Sequence, residues 1–197
     1  MPEWCLRFGI VPLANQQPFS RQDAAEYTEQ ILALGVASGI DRIGVAPAAT
    51  MQRARETLHA RKSLGLHDTM QFTYRNPDRS TNPQVSVPNA QAMIVGACSY
   101  ATDAPPAPLQ LSARVARYAW ANYYESLREG LGVVSDALRA DGWNAQVFVD
   151  HNALVDRESA YLAGLGWYGK NANLLINGAG SFFVLGSVVT DASIPGR

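Results

Sequence analysis

The chain has 197 residues, 47% hydrophobic and 17% charged, which suits one domain with a buried core and at most a small appendage. A formal net charge of -1 excludes nonspecific electrostatic binding of nucleic acid as the main activity, although a local basic patch is compatible with it. Pro2, Gly9, Pro12 and Pro18 interrupt the first twenty residues, and no apolar run nears the ~18–20 residues that cross a bilayer, so a cytoplasmic protein is expected.

After the Pro-interrupted arm, Ser20 and Asp23 form a capping-box-like start, and Tyr27, Ile31 and Leu34 recur at helical spacing up to Ser38-Gly39. Ile40 to Ala46 reads as a strand stopped by Pro47, and Met51 to Leu64 as a second helix. His67 to Asn89, with Pro77, Pro83 and Pro88, reads as a long functional loop, followed by a buried strand from Ala92 to Tyr100. Pro105, Pro106 and Pro108 stiffen a second loop, Thr102 to Leu109. Tyr124, Leu127, Leu131, Val134 and Leu138 mark a long helix that ends at Asp141-Gly142. A strand from Ala145 to Val149, a helix around Ala153 to Ala163, a Gly-rich turn and two strands, Asn173 to Ile176 and Phe182 to Thr190, complete the chain. Gly178-Ala179-Gly180 between the last two suggests a hairpin, so the fold class is α/β or α+β with an at least partly antiparallel sheet.

Cys5 and Cys98 are too few and too far apart for a disulfide framework or a Cys-x-x-Cys site, and His59, His67 and His151 have no metal-ligand spacing, so no protein-ligated metal is expected. The densest cluster of polar residues runs from Asp150-His151-Asn152 through Asp156-Arg157 to Gly164-Leu165-Gly166-Trp167-Tyr168-Gly169-Lys170-Asn171. Its glycines suit a turn that wraps a ligand with backbone N–H groups, and equally a plain tight connection. Asp150 falls where a strand should end and a helix begin, a place for a functional side chain or simply an N-cap. Arg157 could meet an anionic ligand or pair with Asp156 or Glu158 on a solvated face. Arg114, Arg117, Trp120, Tyr123 and Tyr124 mix cations and rings at a helix start, which serves nucleic-acid contacts or core packing.

Four ordered segments carry a resemblance to a known family over roughly Asp23 to Asp191. They are Asp78-Arg79 with Pro83 and Pro88 before the Ala92 strand; Ala116-Arg117-Tyr118-Ala119-Trp120; Val149-Asp150 with Asp156-Arg157; and Ala163 to Asn171 with Leu174-Leu175-Ile176 and Gly180 to Gly186. In this order they resemble the N-terminal cobalamin domain of the epoxyqueuosine reductases. The resemblance implies a nitroreductase-like core, a mixed sheet flanked by helices, holding cobalamin as in the related reductive dehalogenases. It implies reduction of epoxyqueuosine to queuosine at the wobble position of a tRNA anticodon loop, with the epoxide oxygen leaving as water.

By the same resemblance, Asp150 is the catalytic proton donor, a role that requires burial beside the corrin because an exposed aspartate titrates near ~3.9. Arg79, Ala116, Arg117, Asp150, Arg157, Lys170, Asn171, Leu174, Ile176 and Ser181 are the expected cofactor contacts. Residues 1–19 are then an arm, 20–191 the cobalamin-binding catalytic domain, and 192–197 the start of a link to an iron–sulfur domain. Asn122-Tyr123-Tyr124 departs from the family's Asp-Tyr-His, and the Arg79 to Pro83 loop is one residue longer. The family also carries two 4Fe-4S clusters, which two cysteines cannot ligate, so the chain is expected to be a fragment of a longer product or a truncated remnant, ahead of a split enzyme whose electron donor is a separate ferredoxin-like protein. A monomer with tRNA as substrate and no membrane partner is expected. The alternatives are a non-catalytic cobalamin-binding or carrier module, an inactive truncated remnant and, on fold analogy alone, a flavin-dependent nitroreductase-like enzyme.

Overall fold

The computed structural model describes residues 21–103 and 113–196. The expected N-terminal arm, Ser20, Cys5 and most of the second proline loop lie outside the described residues. Helix α1 (Arg21–Ala37) buries Tyr27, Ile31 and Leu34 on one face, and Gly39 ends the turn after it at φ +91°. The edge strand β1 (Arg42–Pro47) follows, then helix α2 (Gln52–Ser63), which buries only Leu58. The stretch expected to be one loop contains two short helices, α3 (Pro77–Ser80) and α4 (Pro83–Ser86). Each begins on an Asn-Pro pair: the Asn76 side chain accepts from the Arg79 amide at 3.1 Å and that of Asn82 from the Gln84 amide at 3.2 Å. Proline in the first turn gives up an amide the helix does not use.

Strand β2 (Ala92–Ser99), helix α5 (Tyr123–Ala140) and strand β3 (Ala145–Val149) fall where the apolar pattern puts them. Helix α6 (Asp156–Leu162) starts later than expected, because Asp150 turns the chain at φ +51° and Ala153 and Leu154 plug into the core before the helix begins. Strands β4 (Trp167–Tyr168) and β5 (Leu174–Leu175) form a small separate pair, and β6 (Phe183–Thr190) completes the main sheet. The Gly178-Ala179-Gly180 turn is present, closed by Ile176 and Gly180 donating to each other's carbonyls at 2.8 and 3.0 Å. The expected hairpin beyond it is not, since β5 pairs with β4 whereas β6 runs between β2 and β3. Leu174 and Ile176 sink into the core and draw β5 away.

The main sheet has the order β1-β2-β6-β3, and every neighbouring pair is antiparallel, further than the partly antiparallel sheet expected. Alternation sorts its side chains into two layers. Ala92, Ile94, Cys98, Val184, Val188, Ala145 and Val149 face α1 and α5; Met93, Val95, Ala97, Phe148 and Val189 face the α6 side. Gly96 and Gly186 stand opposite each other in the register. A methyl on Gly96 would come within 3.2 Å of Leu127 and Leu131, and one on Gly186 within 2.6 Å of Val149. Bare backbone there lets α5 lie close to the sheet, with its first turn over the end where β2 and β3 finish. Among the described residues no helix is long and apolar enough to cross a membrane.

Candidate functional site

The end of the sheet where β3 stops and β6 starts gathers most of the chemistry. Asp150 follows β3 in the left-handed region, φ +51°, where a short polar side chain costs less than most. It is exposed. The Ala153 amide donates to Nδ1 of His151 at 3.1 Å, and Ala153 and Leu154, 0% and 1% exposed, pin the turn that brings Asp156, the first residue of α6, back beside Asp150. Asp156 Oδ1 is shut off from solvent and has no hydrogen-bond partner among the described residues. Burial, and then the charge of Asp150, push the Asp156 carboxyl up to about 8 against the opposing pull of Arg157. It therefore keeps its proton at neutral pH. Burial foremost, then Asp150, Asp156, Tyr100 and Tyr118, raise the hydroxyl of Tyr124 on α5 above its ordinary range. Tyr124 and the two aspartates thus share one electrostatic neighbourhood.

An aromatic floor adjoins it. The Tyr100 ring lies 5.6 Å from that of Phe182, 5.9 Å from Tyr123 and 6.4 Å from Tyr118. Arg117, in a 3-10 turn (Arg117–Ala119), donates to the Thr102 carbonyl at 2.9 Å and lies over the rings of Phe182 and Trp120 at 5.4 and 5.7 Å. Tyr118, Trp120 and Phe182 nevertheless keep 51, 37 and 43% of their surface open, a large apolar area to leave in water.

On the other flank, Arg157 donates to the Ala172 carbonyl at 3.1 Å, tying α6 to the 169–173 loop. That loop is tight: the Gly169 amide donates to Asn173 at 2.8 Å, the Ala172 amide to Gly169 at 3.0 Å, and Asn171 Oδ1 accepts from Asn173 at 3.2 Å. At its base Gly166 touches the Leu175 carbonyl so closely that no Cβ would fit. Below it, buried Glu158 takes two hydrogen bonds from Arg53, at 2.7 and 3.2 Å, and one from the Tyr168 hydroxyl at 3.0 Å, while Arg53 lies 4.1 Å over the Tyr161 ring. Burial and Glu158 lift Tyr168 far above its usual range.

The structure therefore brings Asp150, Arg117, Arg157 and the loop bearing Asn171 around one end of the sheet, with Lys170 exposed on that same loop. Ala116 is exposed, its carbonyl capping the 3-10 turn, and Ser181 is half-buried just before β6. Leu174 and Ile176, 6 and 3% exposed, spend their side chains on the core, which leaves only their backbone for a ligand. Arg79 sits in α3, its guanidinium exposed and without a hydrogen bond or ion pair among the described residues. Arg157 pairs with neither of the acids expected, and Glu158 lies inside rather than on a solvated face. Sequence reading missed the burial of Asp156 and the Arg53–Glu158–Tyr168 cluster. A cleft of about 650 Å³ between residues 86–89 and 143–146 lies at the opposite end of the sheet, where β3 begins, and shares no residue with this group. Among the described residues no cluster of His, Cys, Asp and Glu suited to a metal ion is present.

Residues 80–151 match the protein family described as "Epoxyqueuosine reductase QueG, DUF1730". An epoxyqueuosine reductase of Xanthomonas campestris pv. campestris is 30% identical over 186 residues, covering 89% of this chain and 52% of the relative. A crystal structure of epoxyqueuosine reductase with an epoxyqueuosine-modified tRNA-Tyr stem loop superposes with a TM-score of 0.78 at 25% identity, over 87% of this chain and 47% of that one. A reductive dehalogenase whose structure was used to suggest a mechanism for B12-dependent dehalogenation shares the fold at a TM-score of 0.58 and 16% identity, over 99% of this chain and 23% of that one. The chain spans about half the length of the curated relatives it matches.

Proposed function

We propose that this chain, a relative of the epoxyqueuosine reductases over about half their length, is a cobalamin-binding domain that reduces epoxyqueuosine in the anticodon loop of tRNA. The observation that carries the reading is the sheet end itself. An exposed carboxyl group on a left-handed turn stands beside open aromatic faces and a tight polar loop, on the fold of a reductase that takes a tRNA stem loop.

Those residues fit a corrin, a broad macrocycle with apolar faces and amide edges. Tyr118, Trp120 and Phe182 offer uncovered ring surface, and Lys170, Asn171 and the backbone near Ala116 and Ser181 offer polar contacts to the rim. Leu174 and Ile176 would contribute backbone, and Arg117 and Arg157, already fixed by carbonyls, the sides of the pocket. Arg79 would join from α3. When bound, cobalamin supplies the electron pair for carbon–oxygen cleavage.

The protein's own task is the proton. Asp150 would donate it to the departing epoxide oxygen as negative charge builds there, which spares the reaction a free alkoxide. Its exposure here means that ligand and tRNA, rather than the protein alone, would cover it. Closing that surface would also keep water from the reacting centre. A tRNA loop could be received by the Arg114, Arg117 and Trp120 side through phosphate pairing and stacking.

The test is to mix the chain with cobalamin, follow the shift to a base-off spectrum, then supply a strong chemical reductant and an epoxyqueuosine stem loop. Binding and turnover, with turnover lost in Asp150→Ala, are expected; no spectral change would overturn the proposal. The same open rings and tight polar loop would equally serve a second reading, a cobalamin-holding module without catalysis of its own. Tight binding with no epoxide reduction even under chemical reductant would select it.

A further inference from the structure

The turn that carries Asp150 is tied down on both sides. Before it, Arg128 of α5 donates to the Val149 carbonyl at 3.3 Å. After it, the Ala153 amide donates to Nδ1 of His151 at 3.1 Å, and the same imidazole lies edge-to-face on buried Phe148 with the ring centres 5.7 Å apart. The side chain next to Asp150 thus bridges β3 and the Ala153-Leu154 plug. Between these ties Asp150 holds φ +51°, a conformation that a non-glycine residue keeps only where its surroundings impose it. Because the donor to Nδ1 is a backbone amide, that nitrogen must carry a lone pair, so the ring is neutral with its proton on Nε2. A protonated imidazole would set an N–H against an N–H, and the tie would open. His151 is exposed, so water reaches the ring. The titratable and charged groups around this turn are Asp150 itself, Arg128 and Tyr124 from α5, and Asp156 and Arg157 from the start of α6; among the described residues none of them bonds to the imidazole.

We propose that His151 is a positioning residue that aims Asp150 at the substrate, and that it does so only while its imidazole is neutral. The inference rests on the proton-donor reading of Asp150 given above. His151 exchanges no proton with the substrate; it closes the turn, and the closed turn fixes where the neighbouring carboxyl points. Acid opens the turn by filling the lone pair on Nδ1, and the donor is then no longer held in reach of the departing oxygen. An asparagine at this position would accept from the amide two residues on in the same way, as in an Asx turn, and would keep doing so in acid.

The first measurement is an NMR titration of the whole chain without cofactor, from about pH 8 to about pH 5, the range in which imidazoles change charge. At the alkaline end the His151 ring should show a bare Nδ1 and a protonated Nε2, and the Ala153 amide signal should shift in step with the titration of His151. A proton on Nδ1 at that end, or an Ala153 amide that ignores His151, overturns the inference, and since this uses the wild type alone it decides even where a variant fails to fold. The second is single-turnover reduction of the epoxyqueuosine stem loop by the cobalamin-loaded chain under chemical reductant. The ratio of the wild-type rate to that of His151→Asn cancels the reductant's own pH dependence and should fall about tenfold from the alkaline to the acid end. His151→Ala, which has no acceptor, should be about tenfold slower than wild type at the alkaline end, and His151→Asn should restore most of that loss. A ratio that stays level, or an Asn variant as slow as the Ala variant, overturns the proposal. Turnover retained in Asp150→Ala overturns the parent reading and this one with it, whereas a level ratio with Asp150→Ala inactive overturns this inference alone.

Discussion

Replacing Asp156 with Asn tests the buried carboxyl without any cofactor. In the unfolded chain this group titrates near ~3.9, and in the folded protein at about 8. Between those values the native state holds a proton that the unfolded state has released, so stability falls as pH rises, and it levels off only above the folded value. The slope is ~1.4 kcal/mol per pH unit, so between pH 5 and pH 7 the wild type should lose about 2–3 kcal/mol on this account. Asn keeps the shape and cannot ionise. Subtracting wild type from variant cancels every other titration, and the difference should move by that amount in favour of Asn. Urea unfolding followed by tryptophan fluorescence at pH 5, 6 and 7 measures it. Two curves that stay parallel across this range would refute both the burial and the sign of the argument.

Gly166→Ala should cost about 2–3 kcal/mol in the same assay, because its methyl meets the Leu175 carbonyl, a backbone atom that cannot swing aside. Glu158→Gln should cost about 2 kcal/mol by stripping the charge that Arg53 and Tyr168 bind, and its thermal midpoint should drop accordingly. Asp150→Asn should leave stability within about 0.5 kcal/mol of wild type, since the residue is exposed and Asn accepts the left-handed turn, while epoxide reduction is lost. Asn82→Ala should cost about 1 kcal/mol through the cap of α4, visible in the urea midpoint.

Elements with strong periodicity were legible in the residues. Leu127, Leu131, Val134 and Leu138 fix α5 because one buried stripe admits only a helix, and Ala145 to Val149 reads as a strand for the same reason at period two. Asn76-Pro77 and Asn82-Pro83 held a readable cap signal that the loop composition around them masked. The misplaced hairpin has a different origin. The Gly178–Gly180 turn is local, but which sheet its arms enter depends on how Leu174 and Ile176 pack against residues far away in sequence. The position of Asp150 at a strand end was visible in the chain. The burial of Asp156 was not, because an Asp-Arg pair at a helix start looks like a solvated one until the Ala172 carbonyl is known to claim the arginine.

The strand order carries a consequence for synthesis. Among the described residues β3 has β6 as its sole neighbour in the sheet, and β6 is also what joins it to β2, so residues 145–149 gain their strand partner there only once residues 183–190 have been made. A nascent chain emerging from the ribosome can zip β1 to β2 early but must leave the underside of α5 uncovered until the last strand slots in. Folding should therefore be late and abrupt, limited by one long-range insertion, and a ribosome stalled before Phe183 should display a chain that proteases cut readily.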